Sequence, residues 1–303
     1  MTDVVFRPLR ADEMSVFSRH DDPALVGFGA FGRSFGELWR RGEYRPEWTW
    51  VAQRGDEVLA RAAWWGGPDD PEPAALDWFD FGDRPDLGAG LLREAPWRVE
   101  YQLALPPDWR ERPDVRAARD ARVEAAERAG MRLLVERLRY HWTAGDGLPA
   151  RPGRLVYRPE PDDEVFLDVL RRINVGTLDA HALLVISKGG IDLAAREDLE
   201  FLRWMPSPRD WWRLACTPDG EVAGLTVPGR NYAGPVVGLI GVVPEQRGHG
   251  YAYDLLVECT HLLVEAGCTE VIAATDCGNA PMAAAFARAN YPVTEERAVL
   301  HWP

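Results

Sequence analysis

The chain repeats itself. Residues 125–142, AAERAGMRLLVERLRYHW, and residues 285–302, AFARANYPVTEERAVLHW, align without a gap at an offset of about 160 residues. Ala125 falls on Ala285, Arg128 on Arg288, Ala129 on Ala289, Glu136-Arg137 on Glu296-Arg297, and His141-Trp142 on His301-Trp302. The same shift puts Gly88 on Gly248 and Gly90 on Gly250. One register joining two separated regions of each half marks a tandem duplication, and 303 residues have room for two domains of one plan. The repeat carries a physical check. Gly130 stands where a helix over 114–129 should stop, and its counterpart is Asn290. These are the two residue types that most readily take the left-handed conformation that ends a helix.

His141–Gly153, HWTAGDGLPARPG, is rich in Gly and Pro and lacks periodicity. It divides the chain into a first domain over 1–145, a linker over 146–153 and a second domain over 154–303. In the first half, β-branched and aromatic runs bounded by turn residues predict strands at VVFRPL, WTWVAQ, VLARAAWW, ALDWFDF, RVEYQLAL and RLLVERLRYHW. Helices are predicted near 11–20, 86–94 and 114–129. In the second half, strands fit LVYRP, WWRLACT, VAGLTVP, VVGLIGVV, EVIAAT and RAVLHW. Helices there fit 161–174, 193–203, 249–266 and 280–289, and Asp219-Gly220 marks a hairpin. Each half then reads strand, helix, three-strand meander, helix, strand, helix, strand. That is an α/β fold with a mixed, mostly antiparallel sheet flanked by helices.

Bulk composition excludes several functions. The net charge of −13 argues against nucleic acid, which needs clustered cations. No apolar run has the length of a membrane span and no start resembles a signal peptide, so the expectation is a cytoplasmic protein without a membrane partner. Cys216, Cys259, Cys268 and Cys277 match no CxxC spacing and the histidines form no HExxH, so no metal is expected.

The chemistry concentrates in VVPEQRGHGYAYDLL, 242–256. A buried-type strand runs into a turn with two glycines, and a helix with a leucine stripe follows. Successive backbone N–H groups feeding a helix N-terminus make an anion site. Gly248 and Gly250 remove Cβ atoms that would keep a phosphate away, and Ala252 keeps the first helical turn slim. Arg247 either stabilises the loop or faces the anion. A Walker loop is excluded because the stretch has no lysine, and a dinucleotide turn because Tyr253 stands at the third glycine. A phosphate cradle and an ordinary strand-to-helix corner both remain open on this stretch alone.

VVPEQRGHGYA resembles the pyrophosphate loop of the GNAT superfamily of N-acetyltransferases, with Arg247, Gly250 and Ala252 at its pattern positions. Downstream, TDCGNAPMAAAFARANY resembles the family's next element, where Asn279 and Met282 match and Asn290-Tyr291 takes the Gly-Phe place. The resemblance covers the second half well and the first half weakly; length and tandem plan look like those of two-domain members such as mycothiol synthase. It implies acetyl-CoA as cosubstrate, with a diphosphate on the amides of Arg247, Gly248, His249, Gly250, Tyr251 and Ala252. It also implies a pantetheine arm along Val242 and Val243, where a backbone N–H polarises the thioester, and an Asn279 contact to that arm. The implied reaction is acetyl transfer to a primary amine of a small molecule by direct attack in a ternary complex, in a monomer or homodimer. The alternatives are a non-catalytic acyl-CoA-binding or regulatory protein and a mycothiol synthase-like acyltransferase.

The pattern is broken at Phe286, which stands where many members have an acid tyrosine. Candidate bases for the acceptor ammonium are Asp276, Asp179 and His181, although an Asp beside a turn is most often a cap. In the first half Leu87, Leu92 and Arg119 replace Arg247, Ala252 and Asn279, which implies a degenerate domain that does not bind the coenzyme. Its Trp64, Trp65, Trp78 and Phe79 line an acceptor cleft or, on the preferred reading, fill a meander core.

Overall fold

The computed structural model describes residues 3–20 and 22–303. The chain divides into two compact units, Met1–Glu136 with Glu295–Pro303, and Arg137–Thr294.

The first unit runs β1 (Val5–Pro8), α1 (Met14–Phe17), α2 (Phe35–Arg40), β2 (Thr49–Arg54), β3 (Glu57–Trp65), β4 (Ala75–Asp80), α3 (Pro85–Glu94), β5 (Glu100–Leu105), α4 (Pro113–Ala129) and the start of β6 (Arg132–Thr143). The second runs β7 (Val156–Pro159), α5 (Asp163–Asn174), α6 (Ala180–Trp204), β8 (Arg213–Cys216), β9 (Val222–Asn231), β10 (Gly234–Val242), α7 (Tyr251–Glu265), β11 (Glu270–Asp276), α8 (Ala280–Arg288) and the start of β12 (Val293–His301). Both follow the predicted plan, a mixed, mostly antiparallel sheet with helices. Three elements differ from the sequence reading, of which α2 has no counterpart in it. The helix near 11–20 is a single turn, α1. The helix 193–203 is the second part of α6, whose first part continues back to Ala180 across non-helical Gly189 and Gly190. The glycine pair reads as a break, which hid the turns before it.

The contact division departs from the linear one at the last strand of each repeat. Strands in the first unit are ordered β1-β2-β3-β4-β5-β12, and in the second β6-β11-β10-β9-β8-β7. Thus β12 pairs with β5, Leu103 opposite Ala298, while β6 pairs with β11, Tyr140 opposite Ala273. Ala298 and Leu300 join the core of Trp64, Leu76, Leu91 and Leu103; Tyr140 and Trp142 join that of Leu256, Leu263 and Phe286. The two strands share Glu-Arg and the closing His-Trp at matching positions.

Helix ends follow the local rules. Gly130 (φ 111°) and Asn290 (φ 62°) both take the left-handed conformation after α4 and α8. Trp64 and Phe79 are buried in the first unit's core, and Trp65 and Trp78 pack at the edge of a second cluster there.

Parallel pairing is sparse at one place in each unit. β10 meets β11 only at Val236 opposite Ile272, and its pairing with β9 has a register irregularity between Val237 and Leu239. Beyond it the two strands part. β4 and β5 likewise pair only at Ala75–Glu100 and Leu76–Tyr101.

Candidate active site

Where β10 and β11 part, the second unit holds a cleft of about 610 Å³. Its walls are the end of β10 (Ile240, Gly241, Val242), the turn and first helical residues at 246–253, the α5–α6 loop (Gly176, Thr177, Leu178) and one face of α8. That face is Asn279, Met282, Ala285 and Arg288, a stripe at helical spacing.

The turn is built to aim N–H groups inward. Gly248 (φ 83°) and Gly250 (φ 76°) are both left-handed, a conformation that costs a residue with a side chain about 1–2 kcal/mol. A Cβ at Gly248 would meet nothing within 4 Å, and one at Gly250 only Arg154, 3.7 Å away. Among the described residues, the amides of Gly248, His249 and Gly250 donate to no protein acceptor, and those of Tyr251 and Ala252 are first-turn orphans of α7. The carbonyls are held away. Arg154 donates from Nη1 to the His249 carbonyl (2.9 Å) and from Nη2 to the Gly250 carbonyl (3.3 Å). In a trans peptide the N–H lies opposite the C=O, so these two bonds turn the Gly250 and Tyr251 N–H groups the other way. Arg154 is itself fixed by Asp254, a fully buried carboxylate that accepts from its Nε at 3.0 Å and from its Nη2.

Arg247 braces the loop. Its guanidinium donates to the carbonyls of Ile173 (2.8 Å), Gly176 (3.1 Å) and Val242 (3.3 Å). A cation at the C-terminus of α5 is favoured there by the helix dipole as well as by the bonds. His249 stacks on Tyr251 with ring centroids 5.5 Å apart. Val243 is buried outside the cleft and spends its N–H on the Ala223 carbonyl at 3.0 Å. Strand alternation then turns the peptide groups of Ile240 and Val242 toward the parted strands.

The three candidate bases sit at the start of α6 and the end of β11. Asp179 is the N-cap of α6: Oδ1 accepts from the Ala182 amide (2.9 Å) and Oδ2 from Arg137 Nη2 (2.8 Å). Asp276 is buried, with Oδ1 on Arg137 Nε (2.6 Å) and Oδ2 on the Ala180 amide (2.7 Å). All four carboxylate oxygens are therefore engaged in holding α6 and β6. His181 is half-buried in the first turn of α6. None of the three lines the cleft. Phe286 is buried and stacks on Tyr140, ring centroids 4.1 Å apart at 19°. Burial pushes the Tyr140 phenol up to about 12. Asn279 caps α8 by accepting from the Met282 amide at 3.3 Å, and both residues line the cleft.

Sequence reasoning missed Arg154, which lies just past the Gly/Pro-rich segment and carries no local signal of its partners. It also missed the α5–α6 loop and Arg288. The repeat aligned Arg288 with Arg128 but gave no reason to place it on the cleft.

Residues 185–291 match the model of the acetyltransferase (GNAT) family. No curated protein matches the sequence significantly. Among solved structures, a GCN5-related N-acetyltransferase from Sphaerobacter thermophilus is similar with a TM-score of 0.55 at 17% identity, covering 98% of this chain and 94% of that one. The glucosamine N-acetyltransferase region of a fungal multi-domain GH3 β-N-acetylglucosaminidase gives 0.54 at 13%, covering 99% of this chain and 38% of that one. A tandem GNAT protein from the clavulanic acid biosynthesis pathway gives 0.49 at 16%, with 98% of each chain covered. At these identities the likeness is one of fold.

Proposed function

We propose, on the match of residues 185–291 to the model of the acetyltransferase (GNAT) family, that the chain transfers the acetyl group of acetyl-CoA to a primary amine of a small molecule by direct attack in a ternary complex. The observation that carries this reading is the turn at 248–252. Five inward or unspent amides at a helix N-terminus, with the His249 and Gly250 carbonyls held behind by Arg154, suit a diphosphate. The pantetheine arm runs from there between the parted ends of β10 and β11, past Asn279 and Met282.

The amine nitrogen attacks the thioester carbonyl carbon, the C–S bond breaks, and the electron pair leaves on the CoA sulfur. The Val242 N–H is suited to receive the developing oxyanion, a donor typically worth about 3–4 kcal/mol of barrier. Phe286 gives no proton to the thiolate; a thiolate, far less basic than an alkoxide, leaves without one. Asp179 and Asp276 hold α6 in place; the ammonium loses one proton to solvent before attack, and the nitrogen gives its second to solvent as the amide forms. The rate therefore rises with pH up to the ionisation of the amine, without a side-chain plateau near neutrality.

A thiol-release assay with purified protein, acetyl-CoA and a panel of small amines tests the proposal. Release stimulated by at least one amine is the expected result. Tight acetyl-CoA binding with no release on any amine would leave a coenzyme-binding protein in place of an enzyme.

A further inference from the structure

The repeat exposes a cation with no acid partner among the described residues. In the first unit Arg128 is neutralised twice, by Asp86 through Nη1 and by Glu124 through Nη2, both at 2.6 Å. Its counterpart Arg288 has lost both acids: the residues at the matching positions are Gln246 and Ala284. All three of these second-unit residues line the cleft. Among the described residues, the Arg288 guanidinium has no carboxylate or carbonyl acceptor. It lies over the Tyr253 ring, 3.8 Å from the centroid. Both residues line the cleft, and a cation on an aromatic face keeps its N–H donors free for another acceptor.

The surroundings make this cation unusual. The chain carries a net charge of −13, and most arginines of the second unit are paired with acids. Arg247, the other cleft arginine, is consumed by three carbonyls. Coenzyme A brings three phosphorus centres. The 248–252 amides account for the diphosphate. The remaining group, the 3′-phosphomonoester, carries the densest charge and has no amide left to receive it.

We propose that Arg288, held on Tyr253, receives the 3′-phosphate of the coenzyme and makes the site select coenzyme A over its 3′-dephospho form. This inference rests on acetyl-CoA being the ligand. It adds that the ribose phosphate is read, by a guanidinium suited to bidentate contact with phosphate oxygens.

Calorimetry on the full chain with acetyl-CoA and acetyl-3′-dephospho-CoA tests it, using the wild type, Arg288→Gln and Arg288→Lys. The wild type is expected to bind acetyl-CoA about tenfold or more tightly than the dephospho compound. Arg288→Gln is expected to erase that difference by weakening acetyl-CoA alone, and Arg288→Lys to restore part of it. Arg288 is exposed in the last turn of α8, so a thermal scan is expected to show the variants folded. Equal weakening of both ligands by Arg288→Gln would place the side chain on the diphosphate and overturn the proposal, as would a wild type that binds both equally. A wild type that binds neither would instead overturn the coenzyme assignment, and this inference with it.

Discussion

The strand-to-helix corners of the two units share a register and do opposite things. In the second unit Gly248 and Gly250 precede α7, both left-handed, with open space where a Cβ would stand. In the first unit α3 starts about six residues earlier in the repeat register and swallows the same glycines. Gly88 and Gly90 are helical there, and their missing Cβ atoms make room for aromatic rings. A Cβ at Gly90 would come within 2.6 Å of Phe6, and one at Gly88 within 2.5 Å of Phe81. The start of α3 is closed to anions: Pro85 has no N–H and Asp86 adds a negative charge to the first turn. Behind it, the gap between β4 and β5 is filled by Asp80, which accepts from Arg61 Nε and Arg122 Nη2 at 2.8 Å each. What remains is a cavity of about 10 Å³, room for a single water, against about 610 Å³ in the second unit. The same glycine spacing serves ligand access in one place and helix packing in the other. A spacing motif specifies a site only together with the point at which its helix begins.

Four experiments bear on this contrast, in decreasing order of expected effect. Gly250→Val puts a branched side chain over the amide turn. Acetyl-CoA affinity by calorimetry should fall by about 100-fold or more, the loss of several charge-assisted hydrogen bonds. Retained affinity would break the comparison at its root. Arg154→Ala frees two loop carbonyls and leaves Asp254 buried and unpaired. It should cost about 2–4 kcal/mol in a denaturant titration and weaken coenzyme binding as well; an unchanged midpoint would mean the buried carboxylate is solvated. Gly90→Val should destabilise the fold by about 1–3 kcal/mol through overpacking against Phe6 and leave coenzyme affinity untouched. A matching loss of affinity would show that the first unit also binds the ligand.

The smallest effect is a pH slope in the first unit. Burial pushes Asp77 up to about 7, even though Tyr44 donates its hydroxyl to both carboxylate oxygens at 2.9 Å. The native state therefore holds this proton to higher pH than the unfolded chain does. Stability from this group is complete below pH 4 and declines as pH rises toward 7. Asp77→Asn should flatten the fall in unfolding free energy between pH 4.5 and 7. Asp198 in the second unit, raised to about 6 by burial, contributes a like slope that Asp77→Asn leaves in place. An unaltered slope would mean that Asp77 is not the group titrating there.

Much of the candidate site was legible before any coordinates. The amide turn is local, a strand, two glycines and a leucine-striped helix, and Val242, Arg247, Gly248, Gly250, Tyr251 and Ala252 line the cleft, while Val243 is buried outside it. Asn279 and Met282 follow because a helix start is also local. Asp179 and Asp276 were legible as acids near turns but not as a pair bound to one arginine, since Arg137 comes from the other repeat by sequence. Arg154 and Arg288 were not read as part of the site: Asp254, which holds Arg154, lies a hundred residues away, and the place of Arg288 on the cleft depends on how α8 packs.

Sequence alone determined the duplication, the order of strands and helices, the left-handed stops at Gly130 and Asn290, and the turn that offers its amides. Each depends on residues a few positions apart, whose backbone preferences act without the rest of the chain. Tertiary structure decided which final strand completes which sheet, which glycine pair stays open, and which arginines are left unpaired. These depend on burial and charge neutralisation between distant segments, which only the packed whole brings together.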